Sequence, residues 1–124
     1  KMHNEYRNKV AEGKQSPLPT AAGLPELVWD ISLTEKAQAF ADSCPRKASD
    51  VSTEGENFYL AAGENLNVEE IVRGWYNQVR KITKDVVTNF TNNSAYERVA
   101  QILWSNTTKL GKKIAYFFVF KSIN

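Results

Sequence analysis

The chain has 124 residues, of which 42% are hydrophobic and 24% are charged, and its formal net charge is +2. This length and balance suit a single globular domain over residues 1–124 and exclude an intrinsically disordered chain. No apolar run approaches the ~20 residues that a transmembrane helix needs, so we expect no membrane span. The aromatic residues lie in apolar runs rather than among basic residues, so we expect no nucleic-acid binding.

The charges are unevenly distributed, with five basic residues and no acidic residue in the stretch 98–124. One interpretation is a basic edge that attracts anionic lipid or glycan. The other is that solvated lysines keep a strand edge from pairing with a second sheet. We favour the second interpretation because the charges are widely spaced.

The single cysteine and the N-x-S/T sequons point to different compartments. Cys44 has no partner cysteine in the chain, so an intrachain disulfide is impossible, which is typical of a reducing compartment. Asn89, Asn92 and Asn106 each begin a sequon, which predicts N-glycosylation and secretion.

The first half of the chain predicts two helices and one short strand. Apolar residues at positions 2, 6 and 10 form one stripe of a helix over residues 1–12, and Gly13 can end it. Residues 27–29 predict a strand. Ser32 and Glu35 form a capping-box pattern for a second helix, whose buried face would include Cys44. We expect residues 46–66 to be irregular.

The second half predicts one long helix and two strands. Asn67 is a candidate cap for an amphipathic helix whose apolar residues recur at spacings of three and four up to Ile82, with Gly74 in close backbone contact. Residues 85–95 predict a surface loop. The runs 99–104 and 114–120 predict an antiparallel hairpin, the second strand being buried on both faces.

Four segments in a fixed order carry a family resemblance: residues 3–7 (HNEYR), 27–30 (LVWD), 55–57 (GEN) and 100–111 (AQILWSNTTKLG). Together they resemble the CAP superfamily, which includes cysteine-rich secretory proteins, antigen 5 allergens and pathogenesis-related group 1 proteins. The resemblance implies an α+β fold, a three-layer α-β-α sandwich around a small antiparallel sheet. The family's disulfide cysteines are missing.

The family's central cleft carries two histidines and two glutamates that can hold a divalent metal. The equivalent positions here are Ala48, Glu56, Gln78 and Arg98, and only Glu56 keeps the family residue. His3 is the only histidine, and the resemblance gives it a structural role; we expect Arg7 to pair or pack locally. We therefore expect no metal, no cofactor, no catalytic residue and no enzymatic activity.

Three roles are open for the cleft. The side chains of Glu56, Gln78 and Arg98 would form a polar network that only fills the former metal site, which we favour. Alternatively, the guanidinium of Arg98 would centre an anion- or carboxylate-binding pocket. Retained catalysis is the least favoured role.

The resemblance implies a secreted, non-enzymatic protein that acts on a protein receptor, as an effector or venom-allergen-like antigen. The alternative is binding and transport of a sterol or fatty acid in a groove between the first and third helices. A metal-dependent hydrolase is the least favoured. We expect a monomer, or a weak homodimer formed through the last strand. The residues expected to line the lipid groove are Tyr6, Val10, Val72, Trp75, Tyr76 and Val79.

Overall fold

The computed structural model describes residues 1–21, 23–50, 54–61, 66–114 and 118–123, with the backbone alone for 112–114 and 118–123. The chain forms two compact units. A helical unit comprises residues 1–26 and 67–105, and a sheet unit comprises residues 27–66 and 106–124. Two non-contiguous stretches build each unit, so the chain passes from one unit to the other three times.

In the described ranges, five helices, one 3-10 turn and four strands follow one another along the chain. They are α1 (Met2–Ala11), β1 (Val28–Trp29), α2 (Ile31–Asp42), β2 (Gly55–Tyr59), α3 (Val68–Tyr76), the 3-10 turn (Asn77–Lys81), α4 (Lys84–Thr88), α5 (Glu97–Leu103), β3 (Lys109–Ile114) and β4 (Phe118–Ile123). Helices and a small sheet together make an α+β protein, as predicted.

The first helix of the helical unit confirms the sequence prediction with a different buried face. His3, Arg7 and Val10 are buried, whereas Met2 and Tyr6 are only half-buried. The spacing of three and four is kept, because residues 3, 7 and 10 lie on one side of a helix with 3.6 residues per turn. The pattern of apolar residues could not indicate this face, because one of its buried residues, Arg7, is charged.

The prediction for α3 is confirmed at its start and along its apolar face. Asn67 caps the helix, its side-chain oxygen accepting from the backbone N–H of Glu69 and Glu70. The apolar stripe continues into the 3-10 turn, where Val79 is buried. The expected close packing at Gly74 is wrong: the residue is exposed, and an added Cβ would meet nothing within 4 Å.

The run 99–104 is helix α5 and not a strand, which corrects the prediction. A short apolar run cannot distinguish a buried strand from a buried helix by periodicity. Val99 and Ile102 are buried at the helical spacing of three, and Trp104 is the first extended residue. The short helix α4, which Thr83 caps with its side-chain oxygen, extends into the stretch 85–95 that was predicted as a surface loop. The α4 residues are nevertheless mostly exposed.

The sheet has the strand order β1-β3-β4-β2. The predicted hairpin exists with different strands: β3 and β4 pair antiparallel, with Ile114 opposite Phe118. The stretch 114–120, predicted as one strand, therefore contains the end of β3 and the start of β4. The predicted burial of that strand concerns side chains that lie outside the described residues.

The stretch 46–66, expected to be irregular, contains strand β2. Its five residues pair antiparallel with β4, and Asn57 is buried. Because β4 lies between β3 and β2, its backbone is paired on both sides. The prediction that the last strand is open to a partner is wrong for the backbone of β4.

Helix α2 begins two residues earlier than the capping-box pattern indicated. Asp30, not Ser32, is the N-cap, and its Oδ1 accepts from the backbone N–H of Leu33 at 2.9 Å. The buried face comprises Leu33, Ala37 and Ala41. Cys44 is exposed beyond the helix end, at φ 52°, so its predicted place in the core is wrong.

Gly111 of β3 lies directly against α2. A Cβ at this position would stand 2.4 Å from the backbone nitrogen of Thr34, closer than any packing allows. The residue is buried. The glycine therefore sets how closely the helix approaches the strand in the sheet unit.

Candidate functional site

Glu56, the cleft position that keeps the family carboxylate, is half-buried in β2. Its two oxygens accept hydrogen bonds from the backbone N–H and the hydroxyl of Ser49, both at 2.7 Å. Ala48 precedes Ser49 in the loop after α2 and is exposed. The carboxylate therefore fastens this loop to the sheet.

Gln78 of the 3-10 turn is bonded at both ends of its side-chain amide. Its Oε1 accepts from the backbone N–H of Arg98 at 3.0 Å and of Val99 at 3.3 Å, at the start of α5. Its Nε2 donates to the carbonyl oxygen of Ser94 at 3.3 Å. The first N–H groups of a helix lack partners within the helix, so Gln78 caps α5 from another element.

The predicted polar network is thus only partly assembled by described contacts. Gln78 meets the backbone of Arg98, a residue that is exposed. Glu56 belongs to the sheet unit and Arg98 to the helical unit. The pairing of Arg98 with Glu56, and the alternative anion pocket on Arg98, stay predictions.

The residues at the four cleft positions do not fit a divalent metal. Such sites need imidazole, thiolate or carboxylate ligands that converge on one point. Ala48 offers no donor, and both ends of the Gln78 amide are engaged in capping. Among the described residues no group of three or more His, Cys, Asp or Glu could hold a metal ion.

The first and third helices pack together, as the predicted lipid groove requires. The rings of Tyr6 and Tyr76 stack with centroids 3.8 Å apart and planes 9° from parallel. The Tyr76 hydroxyl donates to Oε1 of Gln15 at 2.7 Å. Burial is the main cause that raises the pKa of Tyr76 to about 12, and the nearby Tyr6 contributes to the same shift.

The other predicted lining residues are core residues of the helical unit. Val72 and Trp75 are each 2% exposed, and Val10 and Val79 are each 4% exposed. With the stacked tyrosines, they fill the space between the helices. The ligand-binding role of these six residues stays a prediction.

A different set of residues in the helical unit lines an apolar groove of about 400 Å³. Its walls come from α1, the loop after α1, Ile82, α4 and α5, and Val10 is the one residue it shares with the predicted set. Among the described lining residues no side chain is ionisable, and the polar side-chain groups are the hydroxyls of Thr20 and Ser105 and the indole N–H of Trp104. Pockets for small apolar ligands have this volume and composition.

The rim of the groove exposes three apolar side chains. Val87 is 49% exposed, Phe90 is 40% exposed and Trp104 is 37% exposed. The Phe90 ring meets Trp104 edge to face at 5.2 Å and Tyr96 at 5.9 Å. These contacts fix an aromatic cluster at the opening, which a ligand entering the groove would touch.

Arg7 is hydrogen-bonded to the backbone of Trp104, one of the residues that line the groove. Its side chain is fully buried. Its Nε donates to the carbonyl of Pro25 at 2.9 Å, and its Nη1 donates to the carbonyls of Ile102 at 3.1 Å and Trp104 at 2.8 Å. Burial lowers the pKa of Arg7. These three partners lie far along the chain, so the guanidinium connects distant segments of the helical unit, and the expected local pairing or packing of Arg7 stays a prediction.

The groove was not predicted from the sequence, because its residues come from separate segments. The signal that was available lies in residues 82–90, where Ile82, Val86, Val87 and Phe90 recur at spacings of three and four across a stretch taken as a polar loop. Its glycosylation candidates Asn89 and Asn92 flank Phe90, and all three candidates, with Asn106, are exposed. Their use as glycosylation sites stays a prediction.

The fold and the motif positions define a CAP-type protein, and the comparisons agree. The sequence profile of the cysteine-rich secretory protein (CAP) family matches residues 1–116. The chain therefore belongs to the CAP family. No helix in the described ranges is both long and apolar enough to cross a membrane.

Relatives of similar sequence carry venom names. Venom allergen 3 homolog of Dinoponera quadriceps is 32% identical over 127 residues, covering 89% of this chain and 54% of that protein. Scoloptoxin SSD552 of Scolopendra dehaani is 35% identical over 119 residues, covering 89% of this chain and 56% of that protein. The chain spans about half the length of these relatives.

Solved structures share the fold at low sequence identity. Na-ASP-1 has a TM-score of 0.80 at 21% identity, covering 97% of this chain and 35% of that one. NaASP2 with Zn²⁺ has a TM-score of 0.78 at 19% identity, covering 98% and 74%. Venom allergen-like protein 4 of Schistosoma mansoni has a TM-score of 0.76 at 19% identity, covering 98% and 82%. These likenesses support the CAP fold.

Proposed function

We propose that this chain is a secreted, non-enzymatic CAP domain that binds an apolar small molecule of the fatty-acid or sterol class. The observation that carries the proposal is the groove of about 400 Å³, whose described lining residues include no ionisable side chain. An apolar ligand gains from leaving water there, roughly 25 cal/mol for each Å² of apolar surface buried. The hydroxyls of Thr20 and Ser105 would meet the polar end of such a ligand.

The absence of a fitting metal set supports a binding role over hydrolysis. Glu56 and Gln78 make structural hydrogen bonds, and the Gln78 side chain is engaged at both its oxygen and its nitrogen. The venom allergen names of the relatives support secretion and a role outside the cell. The whole chain would act as one domain in this role.

The test is equilibrium binding of labelled palmitate and labelled cholesterol to the purified chain. Ala100→Phe fills the groove from α5 and Ala21→Phe fills it from the opposite loop, and each should weaken binding at least about tenfold. Ala39→Phe, on the exposed side of α2, is the matched control and should bind like the unaltered chain. Binding should survive EDTA.

Two groove variants are used so that, if one of them unfolds, the other still tests whether the ligand binds in the groove. Circular dichroism melts identify such a variant. Absence of saturable binding of either ligand, or unchanged affinity in both folded groove variants, would rule out this groove as the site.

A second candidate function is binding of a protein receptor, and an exposed sheet edge favours it. Strand β1 stands at one end of the described sheet. Val28 is 66% exposed, Trp29 is 52% exposed and Ile31 is 72% exposed. Adjacent exposed apolar residues mark protein-interaction sites, and a free strand edge can accept an extended segment of a partner.

This candidate predicts that a receptor contact depends on the sheet edge and not on the groove. The unaltered chain is screened against a panel of cell-surface receptor ectodomains. The double variant Val28→Ser with Ile31→Ser should no longer bind the receptor found in this screen, whereas Ala100→Phe should still bind it. The reverse pattern, or no partner in the panel, would count against it.

A further inference from the structure

The segment that forms one wall of the groove also carries exposed basic residues. Arg80, Lys81 and Lys84 are exposed, and Asp85 is the one acidic residue between positions 77 and 92. In the described part of the chain no salt bridge engages these three basic side chains. Their charge is therefore available to a partner.

The basic residues precede the apolar rim along the chain, and Lys84 lies in the same helix as the rim residue Val87. Lys84 and Val87 are three residues apart in α4, which places them on the same side of this helix. Val87, Phe90 and Trp104 supply exposed apolar surface, two of the three being aromatic. Aromatic side chains settle at the boundary of a bilayer, and each Lys or Arg near an anionic surface adds to the attraction.

We propose that this rim is a membrane-docking surface that fits an anionic phospholipid bilayer. Val87, Phe90 and Trp104 would enter the headgroup region while Arg80, Lys81 and Lys84 contact the lipid phosphates and carboxylates. The combination favours a bilayer over a soluble polyanion, because a polyanion would leave the exposed aromatic surface in water. The inference goes beyond the proposed function, since docking requires no ligand in the groove.

The docking also gives the groove an orientation relative to a lipid source. The three rim side chains are exposed and also line the groove, so a docked chain would bring this part of the groove against the bilayer. An apolar molecule could then pass from the bilayer into the groove without crossing water. Release of the chain would carry the molecule away.

The experiment is co-sedimentation of bacterially expressed, unglycosylated chain with vesicles of phosphatidylcholine alone or with added phosphatidylserine. The chain should sediment with the anionic vesicles, remain in solution with the neutral ones and detach as salt is raised. Lys81→Glu with Lys84→Glu should weaken vesicle binding at least about tenfold. Val87→Ser, at an exposed position, should weaken it with no change of charge.

The matched control is Arg46→Glu with Lys47→Glu, an exposed basic pair in the sheet unit with the same change in net charge. It should bind vesicles more strongly than the rim variant. Equal loss in the two double variants would show a non-specific charge effect and overturn the proposal. Binding to soluble heparin fragments but to no vesicle would overturn it in favour of a glycan.

Vesicle binding and ligand binding fail independently. Ala100→Phe should lose palmitate or cholesterol and still dock on anionic vesicles. The Lys81 and Lys84 double variant should keep its ligand affinity in solution and lose docking. If the Ala100→Phe variant stays folded but no longer docks on vesicles, the proposal that docking requires only the rim residues would be contradicted.

Discussion

Arg7 is a fully buried cation that is satisfied by backbone carbonyl oxygens. The last carbonyls of a helix lack partners within the helix, and the guanidinium supplies donors in a fixed planar fork. The bonds to Ile102 and Trp104 therefore end α5 and tie it to α1. Pro25 is held by the same side chain, so one residue joins three segments of the helical unit.

Arg7→Met should lower the free energy of unfolding by about 3 kcal/mol or more, because it leaves buried carbonyls unpaired. Arg7→Lys should recover only part of the loss, since an ammonium group lacks the planar fork. Urea unfolding followed by circular dichroism measures both.

Lys9→Met is the control for Arg7, because Lys9 is exposed on the same helix. It should change the free energy of unfolding by no more than about 0.5 kcal/mol. Equal stability of the Met variants at positions 7 and 9 would show that the buried guanidinium contributes nothing.

At the scale of elements, Asp30 joins the start of α2 to β3. Its Oδ1 caps the helix and its Oδ2 pairs with Nζ of Lys109 at 3.1 Å. The hydrogen bond from the Leu33 backbone lowers the pKa of Asp30, and Lys109 lowers it further. The charged form is therefore favoured in the folded chain.

This shift predicts a contribution to stability that depends on pH. The contribution is fully present above the unfolded pKa of about 3.9 and is lost as pH falls through the lower folded pKa. Asp30→Asn keeps a capping oxygen without the charge. The difference in urea midpoint between this variant and the unaltered chain should shrink as pH falls from 7 to 3.

Asp50→Asn tests whether the effect is general, since Asp50 pairs with Lys47 at 3.7 Å on the open surface. Its urea midpoint should follow that of the unaltered chain at each pH, because exposed pairs add little. A pH-independent difference for the Asp30 variant would mean that its charge does not stabilise the fold.

Elements whose signals are local were predictable from the sequence. The cap at Asn67 and the apolar face after it depend on neighbouring residues, and both were correct. Helix α5 was missed because the contact that begins it comes from Gln78, about twenty residues earlier. The register of β3 with β4 was missed because an unbroken apolar run contains no sign of where a strand ends.

At the scale of the whole molecule, the family was predictable while the groove was not. Four short motifs in order were enough, and the family profile over residues 1–116 confirms the family. The groove depends on distant segments brought together by packing, which spacing along the chain does not reveal. The cleft positions were located by resemblance, and the described contacts give Gln78 and Glu56 hydrogen bonds within their own units.

Phe90 is both a wall of the groove and the middle residue of the sequon that begins at Asn89. A carbohydrate chain on Asn89 would stand beside the opening as a bulky, hydrated screen. The host cell in which the chain is made would then decide its behaviour. Protein purified from a secretory pathway would carry carbohydrate over the aromatic rim, whereas protein purified from bacteria would leave the aromatic rim exposed.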